Sequence, residues 1–192
     1  MKLACVLTAA GQSRRFGEDK LRLSVRGSPM GVHAMEILLQ APFALRVLVT
    51  DIDKRYLIQT AQEKGFDVVI NPAPEQGMSF SVRMGTEHIR RAGSYDGILY
   101  AVADQPHLSA STVNRLVAAF EREPHCIWAP EANGRRGNPV IFPADLFTEL
   151  LQISGDRGGR QVIAAHPELL RTISVTTEEL KDIDTKEDMQ SC

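Results

Sequence analysis

The chain has 192 residues, 43% of them hydrophobic and 24% charged, with 14 glycines, 10 prolines and a formal net charge of −2. This is an ordinary globular composition, long enough for one well-buried domain over residues 1–192 and short for two. Its basic residues are spread along the chain, which excludes the basic footprint of a nucleic-acid binder and suits a small anionic ligand held by a few placed Arg and Lys.

The first apolar run, Leu3 to Ala10, sits on the N-terminus behind a single Lys2 and is followed by Arg14 and Arg15. It lacks a proper basic n-region, so it reads as a buried first strand, not a secretory leader. Further strands are predicted over Leu45–Thr50, Asp67–Ile70, Gly97–Ala103, Cys126–Ala129, Pro139–Phe142 and Leu170–Val175, with the first over Leu3–Ala9. Helical spacing marks Val32–Gln40, Asp53–Lys64, Met78–Arg91, Ser109–Phe120 and Ala144–Gln152. Continuous apolar runs such as Ile98-Leu99-Tyr100-Ala101-Val102 suit strands covered on both faces. Their alternation with helices predicts a single-domain, three-layer α/β/α sandwich with a mostly parallel sheet. Such sheets bind ligands beyond the carboxyl ends of their strands. No segment approaches the length of a membrane span. The cysteines Cys5, Cys126 and Cys192 form no C-x-x-C pair, so the cytoplasm is the expected compartment.

Behind the first strand comes Ala9-Ala10-Gly11-Gln12-Ser13-Arg14-Arg15-Phe16-Gly17-Glu18-Asp19-Lys20. Small residues let backbone amides approach an anion, and Arg15 and Lys20 could neutralise a triphosphate. A solvated loop with ordinary surface charge is the alternative reading. The P-loop is excluded because Lys20 stands three residues beyond Gly17, and the dinucleotide fingerprint because Gly11 and Gly17 are six apart. Ala103-Asp104-Gln105-Pro106 follows the most apolar strand, where a carboxylate suits a hard cation or simply caps a turn. Near the C-terminus, Asp182 and Asp184 would share one side of an extended segment, while Asp184 or Thr185 could equally cap a last helix. Gly134-Arg135-Arg136-Gly137-Asn138-Pro139 and Gly155-Asp156-Arg157-Gly158-Gly159-Arg160 could shape a pocket for a second anionic substrate, or form surface turns. The five histidines show no metal-ligand spacing, there is no G-x-S-x-G elbow, and Trp128 is expected in the core.

Together these segments resemble the MobA/MocA-like nucleotidyltransferases, which share the broader fold of nucleotide-sugar pyrophosphorylases. The family's opening Leu-Ala-Ala-Gly-x-Ser-x-Arg-Met-Gly-x-x-Lys is similar to Leu7 through Lys20, with Thr8 intervening and Phe16 in place of Met. Gly27-Ser28-Pro29-Met30 resembles the family's Gly-x-Pro-Leu, and Gly137-Asn138-Pro139 its Gly-His-Pro with Asn in place of His.

The resemblance implies that Ala9, Ala10, Gly11 and Ser13 line the nucleotide site and that Arg15 and Lys20 hold its phosphates. It implies that Asn71, Gly77 and Ser81 approach base and sugar, with Gly137 nearby. It also implies that Asp104 and Asp184 hold Mg²⁺, Asp184 being preferred over Asp182. Guanylyl-transferring members carry Gly where Ala10 stands, so the resemblance implies CTP. The expected reaction is CMP transfer from CTP to the phosphate of molybdopterin or molybdenum cofactor, with a molybdoenzyme as a further partner. Its alternatives are GTP, another phosphorylated acceptor, or a non-catalytic carrier of nucleotide or cofactor.

Overall fold

The computed structural model describes residues 1–11, 16–183 and 188. Chain order begins with β1 (Leu3–Thr8), then a short antiparallel pair, β2 (Ser24–Val25) and β3 (Ser28–Pro29), and helix α1 (Met30–Leu39). Next come β4 (Leu45–Thr50), α2 (Arg55–Glu63), β5 (Asp67–Ile70), α3 (Met78–Ala92), β6 (Gly97–Val102) and α4 (Ala110–Arg122). The remainder is β7 (Ile127–Ala132), β8 (Arg135–Arg136), β9 (Val140–Pro143), α5 (Phe147–Leu150), α6 (Arg160–Ala165) and β10 (Leu170–Ser174).

The main sheet runs β10-β7-β9-β6-β1-β4-β5, with β8 paired to β7. Only β8 and β9 pair antiparallel with their neighbours, so the sheet is mostly parallel, as expected.

Side chains alternate across a strand, and β1 sorts accordingly. Leu3, Cys5 and Leu7 join one cluster with residues of α1, α2 and α4, including Met35, Leu57 and Phe120. Ala4 and Val6 join the other, with Val82 and Ile89 of α3, Leu150 of α5 and Val162 of α6. The sheet is therefore covered on both faces. Each fully buried side chain of the size of Phe120 or Phe142 contributes about 1.5–3 kcal/mol of transfer free energy. Gly85 lets α3 lie close to the sheet, because a Cβ there would stand 2.8 Å from Val6 Cγ1. At the end of α1, Arg46 donates from Nη2 to the Ala41 carbonyl at 2.9 Å and covers acceptors the helix leaves open. Ser109 caps α4 by accepting from the Thr112 amide at 3.1 Å.

Three elements differ from the sequence expectation. The helix expected over 144–152 is a 3₁₀ turn, Ala144–Leu146, running into the single α-helical turn of α5. Helix α6 occupies a stretch where no helix is expected from the sequence. The strand over Ile127–Ala132 turns back through Asn133 (φ 52) and Gly134 (φ 75), the two-residue Asn-Gly hairpin that right-twisted strands favour. That hairpin, and not a substrate pocket alone, explains the first of the two arginine-bearing glycine stretches. Trp128 is buried, donating from Nε1 to the Glu123 carbonyl at 3.3 Å.

Candidate nucleotide site

Strands β5, β4, β1 and β6 lie side by side and parallel, so their carboxyl ends share one edge of the sheet. The order reverses at β1, because β4 follows it on one side and β6 on the other. The crevice beyond a reversal of this kind is where open α/β sheets take ligands. Strands β1, β5 and β6 lead there directly into segments singled out from the sequence. The ladder continues past the strand ends: Ala9 N–H donates to Val49 O at 2.8 Å, Ala103 N–H to Thr8 O at 3.1 Å, and Asn71 N–H to Thr50 O at 2.7 Å. Loop positions are thus fixed by sheet hydrogen bonds.

Ala9 and Ala10 are buried, whereas Gly11 is exposed, and among the described residues nothing lies within 4 Å of where its Cβ would be. Gly11 therefore faces open space, and its lack of a side chain leaves the backbone accessible. Further along, Phe16 and Leu21 are buried and anchor the loop's return. Asp19 caps a 3₁₀ turn, Lys20–Arg22, by accepting from the Leu21 amide at 3.2 Å. Lys20 is carried back across the crevice by that turn. Its ammonium donates to Asp104 Oδ2 at 2.7 Å and to the Ile183 carbonyl at 2.6 Å.

Asp104 is the focus of the arrangement. Its backbone carbonyl accepts from the Ile183 amide at 3.0 Å, so the segment carrying Asp182 and Ile183 is seated against it. Several contacts hold that segment down. Glu179 Oε1 accepts from Thr112 Oγ1 at 2.8 Å and from the Ser109 amide at 3.2 Å. Thr177 Oγ1 accepts from Asn133 Nδ2 at 3.1 Å, and Ile183 is itself buried in the core. Gly137 belongs to the same fastening: a Cβ there would stand 2.7 Å from Leu180 Cδ2. Its placement accounts for a glycine through packing of the final segment.

A second group forms at the start of α3. Asn71 is buried and donates from Nδ2 to Ser81 Oγ at 3.0 Å, while its Oδ1 accepts from the Ala73 amide at 2.8 Å. Gly77 precedes α3 with φ 84 and ψ −178, a conformation open essentially to glycine. The Asp156 carboxylate lies where a Cβ would go. Beside it, Gly158 N–H donates to Ser79 Oγ at 3.1 Å, so the glycine-rich stretch 155–160 is docked onto the N-terminus of α3.

The structure thus brings Ala9, Ala10, Gly11, Lys20 and Asp104 to one crevice and joins Asn71, Gly77 and Ser81 at the start of one helix. Ser13, Arg15 and Asp184 lie outside the described residues. His33, on α1, is held below the ordinary histidine value by burial first and by the nearby Arg26, which opposes its hydrogen bond to the Pro106 backbone. It is therefore neutral at pH 7 and brings no charge to the Asp104 loop. Among the described residues no three His, Cys, Asp or Glu side chains converge on a metal position. The oxygens of Asp104 and Ile183 nevertheless already hold one cation, the Lys20 ammonium, and hard oxygen donors of this kind also suit Mg²⁺.

Sequence reasoning missed Lys54, which falls inside the helix expected over 53–64. The helix starts two residues later, at Arg55, and Lys54 is buried with its ammonium 2.8 Å from Ala9 O and 2.9 Å from Gly11 O.

The MobA-like NTP transferase domain matches residues 5–170. The chain belongs to that family. It is 30% identical to nicotine blue oxidoreductase of Paenarthrobacter nicotinovorans, over 96% of this chain and 93% of that protein. It is 28% identical to the purine catabolism protein PucB of Bacillus subtilis, over 95% of this chain and 92% of that protein. A probable molybdenum cofactor guanylyltransferase of Pyrococcus horikoshii is 25% identical over 82% of this chain and 76% of its own length. Among solved structures, Rv0371c from Mycobacterium tuberculosis superposes with a TM-score of 0.86 at 24% identity, over 100% of this chain and 96% of that one. A nucleotidyl transferase from Methanothermobacter reaches 0.82 at 22% identity, over 99% and 95%. These likenesses agree with the α/β/α architecture and the parallel sheet, and family membership makes the chain a nucleotidyltransferase. No helix among the described residues is long and apolar enough to cross a membrane.

Proposed function

We propose that this protein transfers CMP from CTP to the phosphate of a molybdopterin-type cofactor and releases pyrophosphate, in the cytoplasm, with Mg²⁺. The carrying observation is the convergence of Asp104, Lys20 and the Ile183 carbonyl at the crevice beside Ala9–Gly11. A phosphate oxygen of the acceptor attacks the α-phosphorus, a new P–O bond forms, and the bond to the β-phosphate oxygen breaks with its electrons on pyrophosphate. The nucleophile is anionic at neutral pH, so no general base is needed.

The obstacle is charge. Loop amides near Gly11, with Lys20 and Arg15, hold the β- and γ-phosphates, and the fixed geometry orders the in-line approach. Asp104 and Asp184 would hold Mg²⁺, which when bound neutralises charge on the phosphate oxygens. Asn71 and Ser81, through their mutual hydrogen bond, hold the entry to α3 in the shape that receives base and sugar. Ala10 supports cytosine over guanine because its methyl group takes space at the loop, where the family's guanylyl-transferring members carry glycine. The product is then passed to a molybdoenzyme.

The test is pyrophosphate release with Mg²⁺ and each of the four nucleoside triphosphates, with and without molybdenum cofactor. Release only with CTP and cofactor together is expected. Release only with GTP would overturn the Ala10 argument and match the guanylyltransferase name of a relative. Tight nucleotide binding with no release would point to another phosphorylated acceptor or to a carrier.

A further inference from the structure

Among the described charged residues at the sheet edge Lys54 is the most enclosed, at 6% exposure, and the reaction above makes no use of it. Its ammonium has three hydrogens and three acceptors: the carbonyls of Ala9 at 2.8 Å and Gly11 at 2.9 Å, and Asp51 Oδ2 at 2.7 Å. Asp51 follows the last residue of β4, and Ala9 follows the last residue of β1, so one side chain ties two neighbouring strand ends together. The Lys54 carbonyl meanwhile accepts from the amides of Leu57 and Ile58 at 2.9 and 3.1 Å and opens α2. Backbone and side chain of a single residue thereby join the loop, both strands and a helix.

We propose that Lys54 is a positioning residue that presets the loop Ala9–Gly11 for the nucleotide phosphates; this rests on the nucleotide reading of that loop. A peptide unit is planar and trans, so its carbonyl and the following N–H point opposite ways. Drawing the Ala9 carbonyl inward onto the ammonium turns the Ala10 N–H away from it. A loop that binds an anion through amides works best when those amides are aimed before the ligand arrives, since nothing then has to reorganise. Lys54 supplies this aim without adding net charge, because Asp51 balances it at contact distance. It orders the loop, whereas Lys20, bound to Asp104 across the crevice, meets the phosphates.

Lys54→Met keeps the length of the side chain and removes its donors. In the full chain, this variant should raise the dissociation constant and KM for CTP by about tenfold or more, the scale of lost hydrogen bonds to a charged group. The acceptor KM should change by less than about twofold. Amide hydrogen exchange should accelerate in residues 9–11 while 3–8 stay protected. Asp51→Asn keeps the ammonium on both carbonyls and should show a smaller effect of the same kind; it decides the matter if Lys54→Met does not fold. Unchanged CTP affinity and loop exchange in a folded variant overturn the proposal. So does exchange accelerated across the whole sheet with both substrates weakened alike, because that describes a structural residue only. If the wild-type protein binds no nucleotide, the nucleotide reading fails, while exchange at 9–11 still reports on the clamp itself.

Discussion

Strands β1 and β6, which flank the crevice, are buried along nearly their whole length, whereas β10 at the far edge is half-buried at best and exposed at three of five positions. The contrast extends to the charges. At the crevice, Lys20 and Lys54 are enclosed and hydrogen-bonded to oxygens that the sheet itself has placed. By contrast, Arg135 and Arg136 of β8, Arg157 and, at the start of α6, Arg160 are exposed. Enclosed, satisfied charges hold a fixed geometry. Exposed ones lose little when they move, and they are worth little singly. The division suits a reaction with one invariant partner, the triphosphate, and a second partner met on a more adaptable surface. The relatives, which carry different names, share the fold over most of their length.

Substitutions can be ranked by how hard they test this division. Asp104→Ala should lower turnover by about a thousandfold or more, ~4 kcal/mol of barrier, with the circular dichroism of the wild type. Near-native turnover in a folded variant would falsify the placement of the chemistry at this edge. Lys20→Met should weaken CTP binding, yet raise the affinity of the nucleotide-free protein for Mn²⁺ by about tenfold, because it removes a competing cation from Asp104. Titration followed by electron paramagnetic resonance reads that change; an unaltered affinity would mean that the ammonium and the metal use different positions.

Replacing the exposed Arg157 and Arg160 together by Gln should raise the acceptor KM by about fivefold and leave the CTP KM alone. An effect on CTP instead would erase the boundary between the two regions.

The smallest effect is expected at His166, near the edge strand β10. Its pKa is raised, first by the hydrogen bond to Glu149 Oε1 and further by Glu168. The stabilisation is full below the ordinary value of 6.5 and is lost as pH climbs through the raised one. His33 has the reverse sign, penalising the fold as pH falls through 6.5. His166→Gln should therefore lower Tm below pH 6.5, where the wild type has the full stabilisation, and leave the alkaline end unchanged, flattening the decline between them, as read by thermal melts from pH 5 to 9.

Much of this was legible in the sequence where the causes are local. Continuous apolar runs identified β1 and β6, because burial on both faces leaves almost no polar position to confuse them. Loops directly after strands led to Lys20 and Asp104, since parallel topology sends all such loops to one edge. What escaped depends on partners distant in the chain. Nothing adjacent to Lys54 reveals that its ammonium turns inward to a loop more than 40 residues earlier. The glycine at 137 reads as part of a binding motif until Leu180 is seen lying against it. The antiparallel insertion of β9 between β6 and β7 follows from the Asn133-Gly134 hairpin, whose two-residue signature was present but overshadowed by the neighbouring arginines.

The seating of Ile183 on Asp104 also bears on how the protein is made. Lys20 reaches across 84 residues to Asp104 and across 163 to Ile183. Chains emerge from the ribosome N-terminal end first, so most of the sheet can assemble while the third corner of this cluster is still unsynthesised. A nascent or prematurely ended chain lacking residue 183 could resemble the finished protein in its core and still be unable to complete the cation position. Completion of this cluster is thus deferred until residue 183 has been made.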